Sequence, residues 1–127
     1  MNIYVIMYTI LLKNMIEDKI EHDDVTYIIW IGKNAQENWD IITKASQNDI
    51  WFHLKDFSSP HVILRVEDTK LKVVPKILIK KCASLCKQHS KYNKINKISI
   101  IYTEIKNVKK GDKIGSVMTQ KTKSLVC

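Results

Sequence analysis

A chain of 127 residues, 45% hydrophobic and 27% charged, is sized for one domain with a modest core and not for two. Five Gly and Pro together exclude long flexible linkers, and three Cys exclude a disulfide framework. The net charge of +8 is unevenly spread: residues 1–69 hold six Lys or Arg against eleven Asp or Glu, and residues 70–127 hold fifteen Lys against Glu104 and Asp112. A half-chain that basic implies a polyanionic partner or an acidic protein surface, with a solvated lysine-rich face as the plain alternative.

In chain order, Ile3–Leu12 reads as a buried strand, too short to span a bilayer and without the flanks of a signal peptide. Asn14–Asp24 is a polar, acidic connection, so residues 1–24 form an N-terminal strand and linker ahead of a body at 25–127. Tyr27–Ile31 is the second strand, stopped by Gly32 and expected to pair with the first. Asn34 is a candidate N-cap for a short helix over Asn38–Ala45, with Trp39, Ile42 and Ala45 at helical spacing on its inner side.

Ile50–Leu54 and Val62–Val66 alternate with period two and are expected to pair antiparallel, Leu54 with Val62, which sets Trp51 opposite Arg65 and His53 opposite Ile63. From Pro75 the stripe Leu78, Cys82, Leu85, Cys86 and His89 predicts a long amphipathic helix over Val74–Ser90, with His89 a core histidine. Lys97–Thr103 is a further strand, and Lys106–Lys113 a basic loop. Ile114–Met118 with Lys123–Val126 is a closing hairpin. The fold class is α+β: a mostly antiparallel sheet covered by one long amphipathic helix plus a short helix.

If the aliphatic side chains of the central pair turn inward, Trp51, His53, His61 and Arg65 share the outer face. A planar aromatic, two imidazoles and a guanidinium can stack on bases and fork onto phosphate, while Lys106, Lys109, Lys110 and Lys113 supply further positive charge. The structural alternative is a partly buried minicore in which the histidines bond to neighbours and pin the Lys55–Pro60 loop. Metal binding lacks ligands beyond His53 and His61, and serine catalysis by Ser58 or Ser59 lacks an orienting acid. A histidine acid–base pair near Asp49 or Asp56 remains as a metal-independent phosphodiesterase reading, and an adaptor for acidic protein as a third class. No cofactor, metal or small-molecule substrate is expected, and Cys82, Cys86 and Cys127 read as reduced thiols.

The run Gly32-Lys33-Asn34-Ala35, then Asn38, then Asp49-Ile50-Trp51-Phe52-His53, then Ser58-Ser59-Pro60-His61-Val62-Ile63-Leu64-Arg65 resembles the NFACT-R domain. The likeness runs from about Tyr27 to Val126 through Ala83, Ser90, Tyr102, Val108-Lys109-Lys110 and Gly115. The Ser-Ser-x-His-Val-x-Leu-Arg form of residues 58–65 resembles the stand-alone eukaryotic branch, the coiled-coil domain-containing protein 25 group. Pro60 stands where the family usually has a small residue. The resemblance implies a non-catalytic RNA-binding module of ribosome-associated quality control, with tRNA or ribosomal RNA as partner and ribosome-associated proteins nearby. It also implies Trp51, His53, Ser59, His61 and Arg65 as contacts. DNA binding, a membrane link and a protein-adaptor role are what the stand-alone branch adds, and the expected location is cytoplasmic or nuclear.

Overall fold

At Asp23 and Asp24 the backbone enters the left-handed region twice in succession, with φ of 49° and 63°. That is the geometry of a two-residue type I′ hairpin, which Asp tolerates better than most residues. The turn joins β1 (Ile16–His22) to β2 (Val25–Ile31) in a full antiparallel register, His22 with Val25 and Ile16 with Ile31. The computed structural model describes Ile3 and residues 15–127. The expected strand at Ile3–Leu12 therefore lies, from residue 4 onward, outside the described residues. The acidic stretch expected as a connection is instead the edge strand β1, because Ile16 and Ile20 alternate with exposed charges and the Asp pair closes a tight turn.

Helix α1 (Ala35–Lys44) starts three residues earlier than its apolar spacing suggests. Asn34 Oδ1 accepts from Glu37 N at 2.9 Å, and the Glu37 carboxylate accepts from Lys33 N at 2.9 Å and Asn34 Nδ2 at 3.1 Å. This reciprocal capping satisfies the first turn directly after Asn34. Two central strands follow, β3 (Ile50–Leu54) and β4 (Val62–Leu64), antiparallel as expected. Their register differs from expectation by two residues: Trp51 faces Ile63, and Phe52 faces Val62. Arg65 N still donates to Ile28 O of β2 at 2.9 Å, and beyond it Val66 N and Glu67 N turn to the Asp49 carboxylate instead of continuing the ladder.

After a 3-10 turn at Leu71–Val73 comes α2 (Lys76–Gln88), the longer of the two α-helices among residues 15–127. Pro75 is its N-cap and His89 its C-cap. The remaining strands are β5 (Ser99–Glu104), β6 (Val108–Lys110), β7 (Val117–Thr119) and β8 (Lys123–Val126). The expected closing hairpin does not form. β7 pairs with β6, and β8 pairs with β5, Ser99 opposite Val126. Thr103 Oγ1 holds Gln120 O and Lys121 O at the crossing between them. The main antiparallel sheet runs β1-β2-β4-β3-β5-β8, with β6-β7 as a separate ribbon.

Both faces of the central strands are covered. Ile50, Phe52, Leu54, Val62 and Leu64 pack under Leu78, Cys82, Ala83 and Cys86 of α2. Trp30, Trp51 and Ile63 pack under Ile41 and Ile42 of α1 together with Ile105 and Val108. Each fully buried Val, Leu, Ile or Phe among them contributes about 1.5–3 kcal/mol. The face expected to remain accessible is therefore a second core layer. Cys82 and Cys86 lie buried one helical turn apart beneath α2, and burial raises both thiol pKa values, that of Cys86 to about 12.

Candidate nucleic-acid interface

Four chain ends meet at one end of the sheet. β2 stops at Gly32, β4 is entered through Ser59, Pro60 and His61, α2 ends at His89 and Ser90, and the β6–β7 connection brings in Gly115. Between them lies a cleft of about 390 Å³ lined by these residues with Lys33, Asn34, Ala35, Asn38, His53, Ser58, Lys91 and Ile114. The junction is tightly tied: Gly32 N donates to His61 O at 3.0 Å, and His61 N donates to Asn38 Oδ1 at 3.1 Å. Gly115, at φ 87°, lies so close to α1 that a Cβ there would stand 2.8 Å from Ala35 Cβ and 2.9 Å from its Cα. Only glycine permits that approach.

The floor of the cleft is a ring stack. His53 lies parallel to Trp51 with centroids 5.6 Å apart, and His61 stands edge-on to both, 5.1 Å from His53 and 5.4 Å from Trp51. Trp51 Nε1 donates to His61 Nδ1 at 3.0 Å, so the neutral His61 ring carries its proton on Nε2. His53 Nδ1 lies 2.6 Å from Leu54 O and must be the donor to it, which leaves its neutral Nε2 as an acceptor. Burial lowers both pKa values, and the neighbouring His53 depresses His61 further, to about 3. Two neutral imidazoles thus offer one N–H donor and one acceptor at the base of a polar cleft.

The rim carries the charge of Lys33 and Lys91, both exposed, with the exposed His89 imidazole beside them, and the aromatic pair Phe57 and Tyr92, centroids 4.5 Å apart, flanks the lining residues Ser58 and Lys91 in sequence. Ser59 and Ser90 are committed locally. Ser59 Oγ accepts from Leu54 N and donates to Pro60 O, whereas Ser90 Oγ donates to Lys87 O and accepts from Tyr92 N.

The structure brings together Trp51, His53, Ser59 and His61, and sends the other expected contacts elsewhere. Trp51 is 1% exposed and His61 2%, so Trp51 is a support for the histidines and not an open stacking platform. Arg65 sits toward the opposite end of the strands, its Nε 2.6 Å from Asp49 Oδ2 and its guanidinium 4.2 Å over Trp30. Asp49, wholly buried, also accepts from Ser46 N, Val66 N and Glu67 N, each at 2.8 Å. It is a structural staple and does not neighbour the histidine pair as an acid–base partner would. Lys109 and Lys110 lie on strand β6 and not on a loop, Lys110 bonding Thr43 Oγ1 and covering Trp39. Lys106 pairs with Glu104 at 3.3 Å, and Lys113 precedes the lining residues Ile114 and Gly115. His89, expected in the core, is exposed at the cleft because the helix ends under it.

Lys33, Asn38, His89, Ser90 and Lys91 are the site residues that periodicity misses. Their signal is positional: they lie in the connections and end turns of helices and strands that gather on one side of the sheet. Among the described residues no group of three or more His, Cys, Asp or Glu is arranged to hold a metal ion, and no helix is long and apolar enough to cross a membrane.

The sequence profile of the NFACT protein RNA binding domain matches residues 15–123. Coiled-coil domain-containing protein 25 of Mus musculus is 40% identical over 87 residues, 67% of this chain and 42% of that protein. Its homolog in Dictyostelium discoideum is 35% identical over 99 residues, covering 75% of this chain and 48% of the relative. The Rqc2 homolog RqcH of Bacillus subtilis is 33% identical over 83 residues, 65% of this chain and 14% of that protein. The chain thus spans less than half the length of these relatives. Among solved structures, the C-terminal part of the fibronectin/fibrinogen-binding protein of Streptococcus suis superposes with a TM-score of 0.74 at 26% identity, over 87% of this chain and 44% of that one.

Proposed function

The chain belongs to the NFACT protein RNA binding domain family, and from that membership we propose that it is a non-catalytic module that takes a short segment of RNA into the cleft above His53 and His61. The observation that carries the reading is convergence. The segments Gly32–Ala35, Ser58–His61, Ser90 and Gly115, far apart in sequence, line one polar cleft with cations on its rim. Lys33 and Lys91 meet phosphate there, and Phe57 with Tyr92 offers a shelf for a base. The donor on His61 and the acceptor on His53 suit a ribose 2′-hydroxyl, which gives and takes a hydrogen bond at one oxygen. That favours RNA over DNA. The RNA we propose is tRNA or ribosomal and the setting ribosome-associated quality control, as the family resemblance implies, and the reduced thiols suit the cytoplasm or nucleus.

The test compares affinities for an RNA oligonucleotide and its 2′-deoxy counterpart at fixed low salt. The reading expects tighter binding of RNA, with Lys33→Glu and Lys91→Glu each weakening both. Undetectable binding of either oligonucleotide by the folded protein would sink it.

A further inference from the structure

At the other end of the central strands a second basic hollow is built from three stretches of chain. Lys70 and Lys72 come from the turn before α2, Lys106 from the turn after β5, and Lys121 and Lys123 from the crossing into β8. Together they surround a cavity of about 440 Å³ floored by Thr103 and Asn107. All five lysines are exposed. Among the described residues Glu104 is the one carboxylate in the lining, and it is already bridged to Lys106 at 3.3 Å. The fold thus holds four further ammonium groups around a polar floor with no acid in the lining to balance them. Glu67 and Asp68 precede this stretch in the chain without lining the hollow.

We propose that this hollow is a second anchor, for the sugar–phosphate backbone of the same RNA that enters the histidine cleft, so that the domain grips its ligand at both ends of the sheet. The inference rests on the cleft being an RNA site. Two observations favour phosphate over an acidic protein. The cations are lysines, compact point charges that neutralise phosphate without demanding a particular base. The floor is hydroxyl and amide, and Leu71 is the only large apolar residue in the lining, whereas protein partners need buried aromatic or aliphatic anchors.

Span dictates the experiment. An RNA of about four nucleotides fills the cleft alone, and one of about twenty reaches both sites. Lys72→Glu with Lys123→Glu, both exposed, removes two cations from the second site and none from the cleft. With melting temperature checked, the double variant is expected to bind the short RNA as the parent does and the long RNA at least tenfold more weakly at low salt. Its slope of log affinity against log salt should be flatter by about 1.4, or 0.7 per lost contact on a single strand. A long RNA held with parental affinity and slope overturns the second anchor while leaving the cleft in place. A parent protein that binds neither length overturns the cleft itself. A double variant that loses capture of poly-glutamate but not of RNA would assign the hollow to an acidic protein and overturn the inference.

Discussion

Trp51 and His61 are joined inside the protein by a 3.0 Å hydrogen bond from the indole N–H to Nδ1. An indole can only donate, so the bond fixes the imidazole tautomer and turns its N–H away from the tryptophan. It also makes the histidine poor at accepting a proton, since a second proton would have to occupy the nitrogen that Trp51 needs.

Stability therefore depends on pH in a defined direction. The folded-state pKa of His61 is lowered to about 3, and that of His53 is lowered as well, both chiefly by burial. The unfolded chain protonates first as pH falls below about 6.5, so stability is complete above that value and declines toward pH 3. Each histidine contributes up to about 1.4 kcal/mol per pH unit. Melting temperatures at pH 7, 6 and 5 should fall in order, and His61→Asn, which keeps an acceptor for Trp51 but does not titrate, should show a shallower decline. Parallel profiles for the two proteins would contradict this account.

Asp49→Ala should be among the most damaging single changes. It strands the Arg65 guanidinium and three backbone N–H groups that now share one carboxylate. Loss of one partner of a largely buried ion pair costs about 3–5 kcal/mol. Urea titration should show the midpoint dropping sharply. A shift below 1 kcal/mol would mean that water replaces the carboxylate at little cost.

Which lysines matter is also specified. Lys33, Lys91 and Lys113 lie at or next to the cleft, while Lys109 and Lys110 extend along the β6–β7 ribbon. Charge reversal at either of the first two is expected to weaken a short RNA about tenfold. Lys109→Glu with Lys110→Glu should affect only longer RNA. Equal losses for both pairs on a four-nucleotide RNA would show that the cleft is not the primary contact.

Much of the fold was legible because both central strands alternate and α2 carries one clean stripe. What alternation could not reveal was that both faces are covered. Trp51 and Ile63 read as an outer face, and only the packing of Ile41 and Ile42 from α1 makes them core. Arg65 misled for a related reason: its parity matches that of His61 and His53, but the chain leaves the ladder at Val66 to reach Asp49. The cleft was legible only as scattered short matches, since Gly32, His61, Ser90 and Gly115 become neighbours through tertiary structure alone. The β6 strand was hidden because its three residues are mostly lysine.

Gly115→Ala tests how the cleft is closed. The added methyl meets Ala35, and the left-handed backbone there disfavours any side chain. A loss of about 1–2 kcal/mol is expected, with RNA affinity reduced because the β6–β7 connection no longer seats on α1. Ala35→Gly in the same chain removes the Cβ that the new methyl meets and should recover part of the affinity. Absence of any rescue would place the cost in the backbone conformation alone.

Cys82 and Cys86, sealed between α2 and the sheet, give the domain an internal clock. With access closed and ionisation suppressed, neither sulfur is available to an alkylating reagent until the helix lifts, so the labelling rate counts opening events directly. Because Cys86 also touches Ser59 Oγ and Pro60 O, its rate relative to that of Cys82 separates loosening of the loop beside the histidines from departure of the whole helix. Occupancy of the cleft would then register as a slower Cys86, read by mass spectrometry on the unmodified protein.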